Sequence, residues 1–278
     1  EQVVRFRVLN GSSMRVFNIG LSENQTFFQI ASDGGLLSDN LPLTRLQIGP
    51  GERAEILVNF SGMSGQTVFL KSYASELPNG IYGATNPGMG GGMGGGMGGG
   101  MTLNGYNPNP LNGADFNIMQ FNVDVASATP VTTIASPLAT VTPIPEANSN
   151  TSRTITMSPV TFGPNQLNGN FYLNGVLFDI NVINETVPLG NTEIWTIINN
   201  SMIAHPFHIH DVQFYVLDRN GNTPPLSEQG RKDVIMVKPQ ETVRFIAKFE
   251  DFASTVPYMY HCHMLSHAAS GMTTWIRV

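Results

Sequence analysis

The chain has 278 residues, 41% of them hydrophobic, enough to build proper cores in two ordinary domains or in one large all-β domain. Charged residues make up only 12% and the net charge is −6, which gives no reason to expect nucleic-acid binding. One cysteine excludes an intrachain disulfide framework, and no apolar run is long enough to span a membrane.

The opening stretch EQVVRFRVLNGSSMRVFNIGL reads as strand rather than as a leader, so the chain is expected to start inside a folded unit. Short alternating runs broken by Gly, Pro and Asn then follow one another: VVRFRVLNGS, TFFQIAS, RAEILVNF and TVFLKSY. Residues 88–101 form a low-complexity insert, GMGGGMGGGMGGGM, and FNIMQFNVDV closes a first unit over residues 1–125. Residues 126–152 are rich in Ala, Thr, Pro and Ser and read as an extended linker. A second unit, residues 153–278, carries RTITMSPV, GNFYLNG, NTEIWTIINN, HIHDVQFYVLD, DVIMVK, ETVRFIAKF, YMYHCH and MTTWIRV. No long amphipathic helix interrupts these runs. Strands at this spacing predict an all-β chain made of two Greek-key β-sandwiches.

All six histidines lie in two stretches of the second unit, HPFHIH (His205–His210) and YHCHMLSHAASGM (Tyr260–Met272). The second also holds the lone cysteine. Side chains alternate between the faces of a strand. His261 and His263 therefore share one face while Cys262 takes the other, and His208 and His210 oppose His205. Pairing the two strands gives two clusters: His205 with Cys262, and His208, His210, His261 and His263 together. His267 and Met272 follow in a loop that can turn back towards Cys262. Two imidazoles, a thiolate and a thioether make up the blue-copper ligand pattern. Zinc more often takes paired cysteines or spaced Cys/His pairs, and a thiol nucleophile with a histidine base leaves the remaining donors idle. Two metal centres adjacent along the backbone suit electron transfer better than hydrolysis.

At these motifs the chain resembles the multicopper oxidases, the laccase and cuprous-oxidase family. SDGGLL, GPGERAEILVNF and GNTEIWTIINNS are also similar to bacterial three-domain members. The resemblance implies cupredoxin-like domains and copper as cofactor. It implies that His205, Cys262, His267 and Met272 bind a type 1 copper, with His205 or His267 as the point of electron entry. It further implies that His208 binds a type 2 copper and that His210, His261 and His263 serve a type 3 pair. The family's trinuclear centre takes eight histidines. This chain offers four, and no His-x-His motif precedes His205. The chain is therefore expected to be domains two and three of a three-domain oxidase, its partner an N-terminal cupredoxin domain on the missing part or on a separate chain. The implied reaction is one-electron oxidation of phenols, aromatic amines or Cu(I), coupled to O2 reduction, in a periplasmic or secreted protein.

Two departures from the family pattern stand out. Ser266, Ala268 and Ala269 occupy places around the third histidine where relatives often carry acids. Ser201-Met202-Ile203-Ala204 stands where cuprous oxidases place an Asp and a Met. Met89, Met93, Met97 and Met101 recur every four residues between glycines. Their soft thioethers suit Cu(I) capture, whereas the glycines suit an inert linker. Asp233, in GRKDV, suits a structural strand-end role as well as substrate contact. A non-catalytic blue-copper electron-transfer or copper-binding module is the alternative to an oxidase.

Overall fold

The computed structural model describes residues 1–85, 109–161, 170–251, 253 and 255–278. Met89, Met93, Met97 and Met101 lie outside the described residues. Eight strands build the first unit: β1 (Val3–Leu9), β2 (Phe17–Leu21), β3 (Phe27–Ser32), β4 (Gly35–Leu43), β5 (Leu46–Ile48), β6 (Arg53–Asn59), β7 (Thr67–Ser72) and β8 (Phe116–Asn122). They form two four-stranded sheets, in the orders β1-β6-β3-β4 and β5-β2-β7-β8. The alternation in Arg53–Asn59 explains the packing. Ala54, Ile56 and Val58 are buried on one face, beside Phe27 of the same sheet and against Leu21 and Val68 of the facing sheet.

The second unit contains β9 (Thr151–Pro159), β10 (Phe171–Leu173), β11 (Ile183–Thr186), β12 (Thr192–Asn199), β13 (His205–Ile209), β14 (Phe214–Arg219), β15 (Val234–Val237), β16 (Thr242–Lys248), β17 (Tyr258–Cys262) and β18 (Thr273–Arg277). Its two five-stranded sheets run β10-β9-β12-β16-β14 and β11-β18-β17-β13-β15. Trp195 of β12, Phe207 of β13, Phe245 of β16 and Tyr260 of β17 fill the space between them. The chain is thus all-β and built of sandwiches, as the strand spacing predicts, and the sandwiches are consistent with the cupredoxin-like domains that the resemblance implies.

The stretch HIHDVQFYVLD reads as one run in the sequence, but the structure breaks it. β13 ends at Ile209, the backbone turns through Asp211 at φ +59°, and β14 begins at Phe214 in the opposite sheet. The loop expected after YMYHCH contains a short helix, α1 (Leu265–Ala269), which carries His267.

Between β8 and β9 the chain is extended and pinned to the first unit. Val131 O accepts from Val3 N–H (2.7 Å), and Ser38 O accepts from Leu138 N–H (2.9 Å). The two units also share a small apolar core, in which Val16, Leu77 and Ile81 meet Ala204 and Met236.

Candidate metal centre

Antiparallel β13 and β17 are paired with Phe207 opposite Cys262 and His208 opposite His261. This register places the donors on two faces. His205 and Cys262 point into the sandwich, and His208 and His261 point out of it. After Cys262 the chain turns, and backbone bonds close a loop. Met272 N–H donates to His267 O (3.0 Å) and Cys262 N–H donates to Met272 O (3.1 Å). The loop brings His267 back to the cysteine.

The inner cluster is fully enclosed. His205 Nδ1 lies 3.6 Å from Cys262 Sγ, and His267 Nδ1 lies 3.8 Å from it. Met272 is buried in the same core, at the end of the loop that joins it to Cys262. Phe171 packs against both rings, at centroid distances of 4.6 and 4.5 Å. With metal–thiolate and metal–imidazole bonds of about 2.3 and 2.0 Å, the values zinc shows, a 120° angle puts sulfur and nitrogen about 3.7 Å apart. The observed spacing therefore fits one trigonally bound ion. Exposure does not choose an electron-entry edge, because His205 and His267 are 0% and 1% exposed.

The outer nitrogen of His205 is committed elsewhere. With Nδ1 facing the sulfur, Nε2–H donates to Ser201 Oγ (2.9 Å), and that hydroxyl donates to Asn199 Oδ1 (2.7 Å). Asn199 is fully buried, and its amide donates to Ile203 O (2.8 Å) and Lys238 O (2.9 Å). Such outer partners fix ring orientation and tautomer. Met264 N–H also donates to Cys262 Sγ (3.4 Å). Burial pushes the Cys262 thiol up to about 12, against the lowering effect of that N–H. Burial, then His267, drives His205 well below the usual imidazole range.

The outer cluster is tied in the opposite sense. His208 Nδ1–H donates to Asp233 O (2.8 Å), and His261 Nδ1–H donates to Cys262 O (2.8 Å). Their Nε2 atoms are thereby left for a ligand. His210 Nε2 and His261 Nε2 approach to 3.1 Å, close to the ~2.9 Å spacing of two imidazoles at right angles on one ion. Nitrogens of His208, His210 and His261 lie within 4.8 Å of one another. His263 stands beside them, its ring 5.7 Å from those of His208 and His261. Its buried Nδ1 has no hydrogen-bond partner, which is the condition of a donor whose partner is an ion. Burial lowers His208 and His210, and lowers His261 to about 4. All three are neutral and ligand-ready at pH 7. A cleft of about 630 Å³ opens beside them, lined by His208, His210, Asp211, Asp233, Glu250 and Asp251 among others.

Asp233 lines this cleft and also holds the fold together. Its carboxylate takes both prongs of Arg53, at 2.5 and 2.6 Å. The sequence reading missed Ser201, Asn199 and Arg53 as supports of the two clusters. The run NNS, three residues ahead of HPFHIH, was the available signal for the first two. Nothing local marks the third, which is 180 residues from its partner.

A multicopper oxidase family model matches residues 145–278. Over its full length the chain is 32% identical to "Multicopper oxidase mco" of Staphylococcus haemolyticus, covering 48% of that protein. Over 95% of its length it is 30% identical to the laccase of Bacillus subtilis, covering 48% of it. All of the chain superposes on 56% of the bacterial laccase-like multicopper oxidase CueO from Ochrobactrum sp., with a TM-score of 0.78 and 27% identity. The chain spans about half the length of the curated relatives it matches. The two donor clusters, the paired sandwiches and these likenesses agree: the chain belongs to the multicopper oxidase family, of which it covers a partial region.

Proposed function

We propose that this chain is the substrate-side half of a copper-dependent oxidase that takes single electrons from small reducing molecules and passes them on to reduce O2. In that reading His205, Cys262, His267 and Met272 hold a type 1 copper, His208 a type 2 copper, and His210, His261 and His263 half of a type 3 pair. Copper, when bound, supplies the one-electron redox steps. The residues supply the wiring. Cys262 is covalently continuous with His261 and His263, and its carbonyl also accepts the His261 Nδ1–H bond. That second link makes a short through-bond route from the inner cluster to the outer one, and it is the observation that carries the proposal. The enclosed, apolar setting of Phe171, Met264 and Met272 keeps water from the sulfur.

The other four imidazoles of the trinuclear centre would come from an N-terminal cupredoxin domain, consistent with relatives about twice as long. Phenols, aromatic amines and Cu(I) are the substrate classes proposed. The stretch Ser201-Met202-Ile203-Ala204, which has no acid where cuprous oxidases place an Asp and a Met, favours the organic substrates, while Met89, Met93, Met97 and Met101 favour Cu(I). With Ser266, Ala268 and Ala269 around His267, proton delivery falls to other groups. A periplasmic or secreted setting goes with this reading.

The test is the copper stoichiometry and reoxidation of the chain itself. It should bind one copper tightly and turn blue, because only the His2Cys–Met set is complete, and hold a further, non-blue copper only loosely at the four outer imidazoles. A reductant should bleach it, and air should restore the colour slowly. Cys262→Ser should remove the blue absorption. A blue Cys262→Ser protein would overturn the ligand assignment. Rapid reduction of O2 to water by the wild-type chain alone would overturn the half-site reading.

A further inference from the structure

Among the described residues, the first unit contributes no donor to either cluster, yet its turn 49–53 reaches the outer imidazole cluster. Three observations meet there. Arg53 grips Asp233 with both prongs, and Asp233 O is the acceptor that holds the His208 ring by Nδ1–H. Arg53 is itself fixed from its own unit. Its backbone N–H donates to Asp33 Oδ1 (2.7 Å), Nη2 donates to Asp33 O (3.1 Å) and Nη1 donates to Gly51 O (3.1 Å). Gly51, at φ +82°, lies flat against His263, where an added Cβ would come within 2.5 Å of the ring. A planar, two-pronged guanidinium sets position and angle together, which a lysine ammonium does not.

We propose that Arg53 is a positioning residue for the outer copper cluster: its fork on Asp233 fixes the carbonyl that orients His208, while the neighbouring Gly51 sets the floor under His263. The first unit is thereby part of the metal site without ligating it. This rests on the reading of His208, His210, His261 and His263 as copper ligands.

The experiment is a Cu(II) titration of the full chain, following the non-blue copper by EPR once the blue site is filled. The blue absorption reports in parallel that the fold is intact. The double variant Arg53→Met/Asp233→Asn removes the fork together with the carboxylate it grips, and leaves Asp33, 3.8 Å from the guanidinium, paired with Lys232. It should weaken non-blue Cu(II) binding tenfold or more, the range seen when outer supports of metal ligands are lost, with the blue band retained. Arg53→Lys keeps the charge but not the fork, and should weaken binding severalfold. Ser32→Ala trims the same interface, where Ser32 Oγ donates to Arg231 O (2.8 Å), and should leave the affinity unchanged. Wild-type affinity in the double variant overturns the proposal, as does a loss in Ser32→Ala equal to that in the double variant. If the double variant does not fold, an unchanged Arg53→Lys overturns it. A wild-type chain that binds no second copper instead overturns the metal reading itself, and this inference falls with it.

Discussion

A thiol pushed up to about 12 by burial stays protonated at neutral pH in the metal-free protein, so Cys262 is a poor nucleophile until a metal displaces its proton. A thiol reagent at pH 7.5 should leave the native metal-free chain essentially unlabelled and react fully once urea unfolds it; rapid native labelling would contradict the enclosed site. The buried imidazoles make a second prediction. Unfolded histidines take up protons near 6.5, whereas burial lowers His205, His208 and His210 and brings His261 to about 4. Between these values the unfolded state binds more protons. Stability of the metal-free chain is therefore complete above about pH 6.5 and falls as the pH drops towards 4. His261 alone contributes on the order of 3 kcal/mol across that window. Urea midpoints at pH 7, 5.5 and 4 should decrease in that order, and a flat series would show that the rings are not desolvated. Asn199→Ala should broaden or shift the blue band, because Ser201 then loses the acceptor that aims it at His205; an unchanged band would make Asn199 a packing residue only.

At the scale of elements, the turn between β13 and β14 decides where the outer donors point. Asp211 holds it at φ +59°, a conformation that costs most L-residues about 1–2 kcal/mol and β-branched ones more. Asp211→Val should lower the melting temperature and weaken non-blue copper binding through His210, whereas Asp211→Gly should be tolerated. The strands that flank this turn were readable from alternation, and so was the division of the histidines between two faces. Period-two patterning fixes a face wherever a strand is continuous, as at His205–Ile209 and His261–Cys262. The turn shows in the sequence only as a shift of parity between Ile209 and Val212, which the apolar residues on either side mask. β4, β5 and β11 were also not legible. β4 alternates poorly because it covers a flank and leaves Leu36 exposed, and β5 is only three residues long. The supports of the donors escaped for another reason. Ser201 and Asn199 sit in a polar-looking run whose burial is set by other strands, and the Arg53–Asp233 pair exists only once two units have folded together.

At the scale of the whole molecule, the contact between units is ionic as well as apolar. Lys232, 4% exposed, lies 2.9 Å from Asp33 Oδ2 and 3.3 Å from Glu52 Oε1. Burial alone would lower the lysine, but Glu52 and Asp33 outweigh it and hold the ammonium well above its ordinary range. Removing one partner strands the others. Lys232→Met should cost about 3–5 kcal/mol, and calorimetry should show the loss in one transition rather than only in the second unit; a separate, unshifted first-unit transition would refute the coupling. The lysine comes from the second unit and both carboxylates from the first. The two sandwiches look like interchangeable modules, yet their genes are not free to recombine at the linker. A chimera that takes residues 145–278 from one relative and the preceding unit from another inherits three charges chosen for different neighbours. Such hybrids should recover solubility only when positions 33, 52 and 232 travel together, so the seam that matters for shuffling this protein runs through space between the units and not along the chain that joins them.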